Sequence, residues 1–161
     1  MFPHTITLYN VETKVSPTTC TDETTNHITI LKGVLLDETK SITIRRGLNA
    51  RENGFVAADA ITLYIPFGVT AIDPASGEEK TFLPAADFWR TENKTPFWTL
   101  SAGKQRSGPA SGTSFFLRGE AVHPELDVGE LETLYAGNAF TVSTVSTMNF
   151  GGLPHWEIGA N

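Results

Sequence analysis

The residues that could support catalysis or metal binding are few and widely separated in this sequence. Histidine, a common metal ligand and proton carrier, occurs four times without the short spacing of a metal-binding motif, at His4, His27, His123 and His155. His123 and Glu125 fit half of the zinc deaminase signature, whose other half needs paired cysteines, and the chain has a single cysteine, Cys20. The sequence therefore predicts no metal site and no cofactor, and spacing alone assembles no nucleophile–base pair. We expect a protein that is not an enzyme, and a hydrolase whose catalytic residues converge from distant positions is the weakest alternative.

A group of arginines is the first candidate for binding. Arg45, Arg46 and Arg51 lie close together in a chain whose formal net charge is −6. Guanidinium groups bind phosphates and carboxylates well, so the group is interpreted either as scattered charge on a solvated loop or as a loop that meets phosphates or an acidic partner.

A group of aromatic residues is the second candidate, at Phe88, Trp89, Phe97 and Trp98. One interpretation places these side chains in the core, as a lid under the strands. The other places them on the surface as a protein contact, because large aromatic side chains are prominent in binding hot spots.

Length, composition and charge limit the class of protein. A chain of 161 residues with 40% hydrophobic content can bury a core as one domain, 1–161, and is not wholly disordered. The acidic balance argues against a general nucleic-acid coat. The sequence predicts no signal peptide, and it contains no apolar run near the roughly 20 residues that cross a bilayer. We therefore expect synthesis in a cytoplasm, with Cys20 reduced and no membrane partner.

The elements that would position these residues are predicted to be mainly strands. Residues 4–10, 140–145 and 153–159 alternate polar and apolar side chains, which predicts one row in a core and the other in water. Strands at both ends indicate a closed or nearly closed structure that includes the first and last strands. The fold class is therefore mainly β: a small β-barrel or β-sandwich with one short α-helix near the C-terminus and long loops.

Further segments follow from local patterns. Residues 60–65 predict an interior strand with a returning partner at 80–83, and the polar residues 12–26 predict a long hairpin loop. Long loops are expected at 37–59 and 84–113, because glycine, proline and polar residues interrupt them. The helix is predicted over 128–136, with Asp127 as N-cap and Glu130 completing a capping box.

The order of these pieces resembles a known family. The segments HTITLYN, GVLLDE, DAITLYIPF and NAFTVSTVSTMNFGGLPHWEIG, about half of the chain, are similar to head–tail joining proteins of tailed bacteriophages. The similarity is to the head-completion group of Gram-positive phages and prophages, which are minor capsid or stopper-like proteins. It is a pattern of order and residue type without a catalytic motif.

That resemblance implies a structural virion protein of the phage neck. Such a protein forms a ring, as a hexamer or dodecamer, beneath the portal, where it helps to retain packaged DNA and docks the tail. Its partners would be its own copies, a portal or adaptor protein, and a tail-terminator or tail protein. By its place in the order of elements, loop 37–59 with Arg45, Arg46 and Arg51 would project into the channel and could contact DNA.

A ligand-binding module is the alternative. In this hypothesis, a β-sandwich binds carbohydrate or protein through exposed aromatic side chains at Trp89 and Trp98. Solvent exposure of the tryptophans distinguishes the two hypotheses.

Overall fold

The computed structural model describes residues 2–45, 54–103, 105–107 and 110–161. They form ten strands and two short helices. The helices are α1 (Ala85–Arg90) and α2 (Val128–Leu134). The strands are, in chain order, β1 (His4–Val15), β2 (Asp22–Arg45), β3 (Gly54–Pro66), β4 (Thr70–Ile72), β5 (Thr81–Phe82), β6 (Phe97–Trp98), β7 (Gln105–Ser107), β8 (Ala110–Arg118), β9 (Ala139–Met148) and β10 (His155–Ala160).

The main sheet closes on itself through antiparallel pairings. β1 pairs with β2, β2 with β3, β3 with β10, β10 with β9 and β9 with β8, and β8 pairs again with β1. The prediction of a mainly β fold is confirmed, and both the first and the last strand have a neighbour on each side. The circuit is not a regular barrel, because β2 pairs with β1 through its first part and with β3 through its second, and β7 extends the sheet beyond β8.

Both faces of β1 are buried, which differs from the expectation of one row in water. Ile6 and Leu8 belong to the inner core, whereas Tyr9 and Val11 belong to a second cluster that includes Leu131 of α2. The polypeptide between β8 and β9, which contains α2, covers the outer face of β1. A polar–apolar alternation does not reveal such a cover, because it arises from a distant part of the chain.

Two polar side chains of β1 anchor this cover. Thr7 Oγ1 donates a hydrogen bond to the carbonyl oxygen of Gly119 at 2.7 Å and accepts one from the Ala121 N–H at 2.9 Å. Tyr9 Oη donates to the Ala121 carbonyl oxygen and accepts from the His123 N–H. Both side chains have no exposed surface, so these bonds replace the water that the hydroxyl groups would otherwise contact.

The capped helix α2 is confirmed, and a second short helix, α1, follows Pro84. The backbone N–H of Glu130 donates to Asp127 Oδ1 at 2.8 Å, and the Asp127 N–H donates to Glu130 Oε2 at 2.9 Å, as a capping box requires. The structure thus has two short helices, the predicted one near the C-terminus and α1 before β6. Pro84, the N-cap of α1, makes no side-chain hydrogen bond, so α1 begins without the capping side chain that marks the start of α2.

The predicted loops are largely regular structure. The hairpin of β1 and β2 continues to Val15↔Asp22, which leaves a turn at 16–21 where a loop over 12–26 was expected. Segment 37–59 contains the end of β2 and the start of β3, and segment 84–113 contains α1, β6, β7 and the start of β8. Threonine-rich segments look loop-like by polarity, yet the β-branched side chain favours strands.

The predicted partner of the interior strand is also corrected. The segment expected to pair with 60–65 contributes only Thr81–Phe82, which pairs in parallel with Phe97–Trp98. The strand at 60–65 is part of β3, whose neighbours are β2 and β10. Among the residues that the structure describes, neither helix is long and apolar enough to cross a membrane.

Candidate functional site

The aromatic candidates lie in the interior. Phe88, Trp89 and Trp98 are between 0% and 3% exposed, and Phe97 is half-buried. The interpretation of these residues as an exposed contact, or of Trp89 and Trp98 as stacking platforms, is therefore wrong for the three buried side chains. These three side chains pack in the core, which agrees with the interpretation of the group as a lid under the strands.

Trp89 is held by a close approach to β8 and by a polar network. A Cβ atom added to Gly112 would overlap the indole ring of Trp89, so this approach requires glycine. Trp89 Nε1 donates to Ser101 Oγ at 2.9 Å, and the Ser101 N–H donates to Ser114 Oγ at 2.8 Å. The Asn10 side chain, with its amide nitrogen turned toward Ser114 Oγ, donates to it at 3.0 Å. The ring is fixed rather than available to a ligand.

A buried ion cluster lies beside this lid. Lys94 Nζ is 2.8 Å from Glu12 Oε2, and the two side chains are 4% and 5% exposed. Lys14 Nζ lies 2.9 Å from Glu12 Oε1, and His27 Nε2 lies 3.9 Å from Glu12 Oε2. Lys94 Nζ also donates to the carbonyl oxygen of Thr91. The cluster thus joins β1, β2 and the connection between α1 and β6.

Burial and charge set the protonation states of this cluster. Burial alone would raise the pKa of Glu12, but hydrogen bonds from Lys94 and Lys14 outweigh it and hold that pKa below its usual value. Burial lowers the pKa of His27 to about 4, although the charge of Glu12 acts in the opposite direction. Near neutral pH, Glu12 is ionised and His27 is neutral, which makes the imidazole a poor proton carrier.

A cleft of about 290 Å³ opens next to His27 and is lined in part by Asn26, Asp73, Lys80 and Thr95. Lys80 Nζ donates to the carbonyl oxygen of Ile28 at 2.8 Å, and burial lowers the pKa of this amine. Asp73 closes its own turn, accepting from the Ala75 N–H and the Ser76 hydroxyl. These groups are engaged in holding the local backbone.

Clusters of potential metal ligands were sought among the described residues. There, no group of three or more His, Cys, Asp or Glu side chains is arranged to hold a metal ion. The ion cluster was missed at the sequence level because its members are far apart in the chain. One signal was present: Glu12 continues the inward-facing row of Ile6, Leu8 and Asn10, where a charge needs a partner.

Arg45, the one arginine candidate among the described residues, lies at the far end of a two-stranded ribbon. Thr39–Arg45 of β2 pairs with Gly54–Ala60 of β3. β10 pairs with β3 only from Ile61 onward, and β1 pairs with β2 only up to Val34. At about 3.4 Å per residue, the ribbon runs about 20 Å past these neighbours. Arg45 pairs with Gly54, whereas Arg46 and Arg51 lie outside the described residues.

A model of a family of unknown function (DUF6751) matches residues 1–161. The chain belongs to this family. No curated protein and no solved structure matches it. The family description assigns no activity, so the function of this DUF6751 member has to be inferred from the ribbon, the lid and the ion cluster described above.

Proposed function

We propose that this protein is a structural component of the phage neck. In this role it forms a ring under the portal, helps to retain packaged DNA and docks the tail. The ring is a hexamer or dodecamer that contacts a portal or adaptor protein on one side and a tail-terminator or tail protein on the other. The protein is made in the host cytoplasm and works as part of the virion.

The β2–β3 ribbon is the observation that carries this proposal. A neck subunit needs a rigid body for contacts with its neighbours and an arm that reaches beyond that body. The closed circuit of strands supplies the first, and the ribbon supplies the second. The ribbon leads to the segment that contains Arg46 and Arg51, whose charge suits DNA phosphates.

The interior of the protein supports a structural role over ligand binding. Trp89 and Trp98 are buried, which removes the surface on which a carbohydrate would stack. The buried charges of Glu12 and Lys94 form an ion pair that joins separate segments of the fold. These features favour a subunit whose body keeps one shape.

The test is the composition of purified particles. Mass spectrometry of virions from a host that expresses the protein is expected to detect it, and cryo-electron microscopy of the head–tail junction is expected to show it as a symmetric ring. Absence from such particles would overturn the proposal.

A charge variant tests the role of the arm. Particles carrying the triple variant Arg45→Ala, Arg46→Ala and Arg51→Ala are expected to contain the ring but to lose packaged DNA during storage. Arg90→Ala, which removes an exposed arginine from α1, is the matched control and should retain DNA. Equal retention by both variants would show that the arginines do not serve the DNA seal.

A further inference from the structure

The ribbon presents two backbone edges without a strand partner. Among the described residues, Thr39–Arg45 and Gly54–Ala60 pair only with each other. Each strand therefore has one row of backbone N–H and C=O groups that no further described strand covers. Such rows are ready templates for strand addition.

The sequence of the ribbon contains little of the usual protection of edge strands, which is proline or several charges. Neither segment contains proline, and the charged residues are Lys40 and Arg45 on the β2 segment and Asp59 on the β3 segment. The β2 segment is rich in the β-branched residues Thr and Ile, which favour strands. A two-stranded hairpin is marginal in water on its own, so a third strand would stabilise it.

Strand direction and charge identify which edges fit together. β2 and β3 run in opposite directions, so the β2 edge of one copy meets the β3 edge of the next in antiparallel orientation. The β2 segment carries Lys40 and Arg45, whereas the β3 segment carries Asp59 and no basic residue. Pairing two β2 edges would place like charges together, and pairing β2 with β3 places opposite charges together.

We infer that the ribbon is an assembly arm, in which the β2 edge of one copy (Thr39–Arg45) pairs antiparallel with the β3 edge of a second copy (Gly54–Ala60). This contact is head-to-tail: each copy uses a different edge toward each neighbour, so the same pairing can repeat around a ring. The strand pairing is inferred from the uncovered backbone edges and their charges, and only its closure into a ring rests on the proposed function.

Cross-linking between two differently sized versions of the chain tests the inference. Both versions carry Cys20→Ser, which removes the natural exposed thiol. One has Ser41→Cys on the β2 edge and the other has Ala58→Cys on the β3 edge, and they are mixed and treated with a short bismaleimide. Val56→Cys and Ala60→Cys replace Ala58→Cys in parallel samples, so that a shift in register is covered.

A mixed cross-link between the two versions is the expected result, with none in either version alone. The double variant Ser41→Cys with Ala58→Cys is the reactivity control, because these residues are cross-strand partners within one chain. Cross-links between identical versions would show that like edges meet, and would overturn the inference. Loss of every intermolecular cross-link in folded protein would also overturn it.

The cross-link and the particle analysis separate the two proposals. A mixed cross-link in a protein that is absent from virions leaves the strand pairing standing and removes the neck function. A ring in the virion without the mixed cross-link leaves the neck function standing and removes the strand pairing.

Discussion

Lys94 Nζ and Glu12 Oε2 lie 2.8 Å apart, and neither side chain is more than 5% exposed. Lys94 precedes β6, and Glu12 is on β1, so the ion pair connects the lid to the first strand. Taking two charges out of water is costly, and either one left alone in the interior costs more than the pair. Removing either partner of this ion pair should therefore destabilise the fold.

Removing the buried cation should be far more damaging than removing the exposed one. Lys94→Met leaves the buried Glu12 carboxylate without its buried cation. We expect this variant to lower the free energy of unfolding by about 3–5 kcal/mol. Lys14 binds the same carboxylate but is 54% exposed, so Lys14→Met should cost at most about 1 kcal/mol. Urea unfolding at pH 7 measures both. Equal decreases in the free energy of unfolding would contradict this role of the buried ion pair.

His27 should make the protein less stable as the pH falls. Burial lowers its pKa in the folded protein to about 4, against an ordinary value of 6.5. Between these pH values His27 is protonated in the unfolded chain and neutral in the folded protein, so protonation favours unfolding. Between pH 7 and pH 5 we expect the free energy of unfolding to fall by about 2 kcal/mol.

The comparison variant for this effect is His27→Gln, followed by urea unfolding at pH 7 and pH 5. Because Gln does not titrate in this range, the difference between the two pH values should shrink even if the variant is less stable at both. An unchanged difference would assign the pH dependence to other groups.

The approach of Trp89 to β8 predicts a strict requirement for glycine at position 112. Gly112→Ala places a methyl group where the indole ring lies, and we expect a loss of about 1–3 kcal/mol from the strain of overpacking. Gly152→Ala is the control, because no heavy atom lies within 4 Å of an added Cβ there. Thermal unfolding of the two variants beside the parent protein measures the difference, and a neutral Gly112→Ala would contradict this packing.

The tryptophans should be shielded from a neutral quencher. The three tryptophans of the chain, at Trp89, Trp98 and Trp156, are between 2% and 8% exposed. We expect blue-shifted emission and much weaker acrylamide quenching in the native protein than in guanidinium. Quenching close to that of the unfolded chain would restore the hypothesis of exposed aromatic binding sites.

Local signals in the sequence predicted local structure well. The capping box of Asp127 and Glu130 involves residues three apart, and the helix begins where they indicate. The strands at both ends of the chain also follow from alternation. The pairing of β2 with β3 past the body was not predicted, because a polar segment such as 37–45 carries no sign of the distant strand that will pair with it.

The candidate site was harder to predict for the same reason. Phe88 and Trp89 are large aromatic residues that could be core or surface by type alone, and their burial depends on Gly112 in another element. Glu12, His27 and Lys94 meet only after three segments have folded together. The sequence shows where charged and aromatic residues occur, but their exposure to water depends on the fold.

The cover over β1 has a consequence for synthesis on the ribosome. Thr7 forms a hydrogen bond with Gly119, which is 112 residues later in the chain, and β1 pairs with β8, which ends just before Gly119. At about 5–20 residues per second, β1 must wait roughly 6–22 s for these partners to be made. During that interval its hairpin with β2 leaves one edge and both apolar faces uncovered. Translation speed and chaperone supply should therefore govern how much of this protein reaches the folded state in a cell.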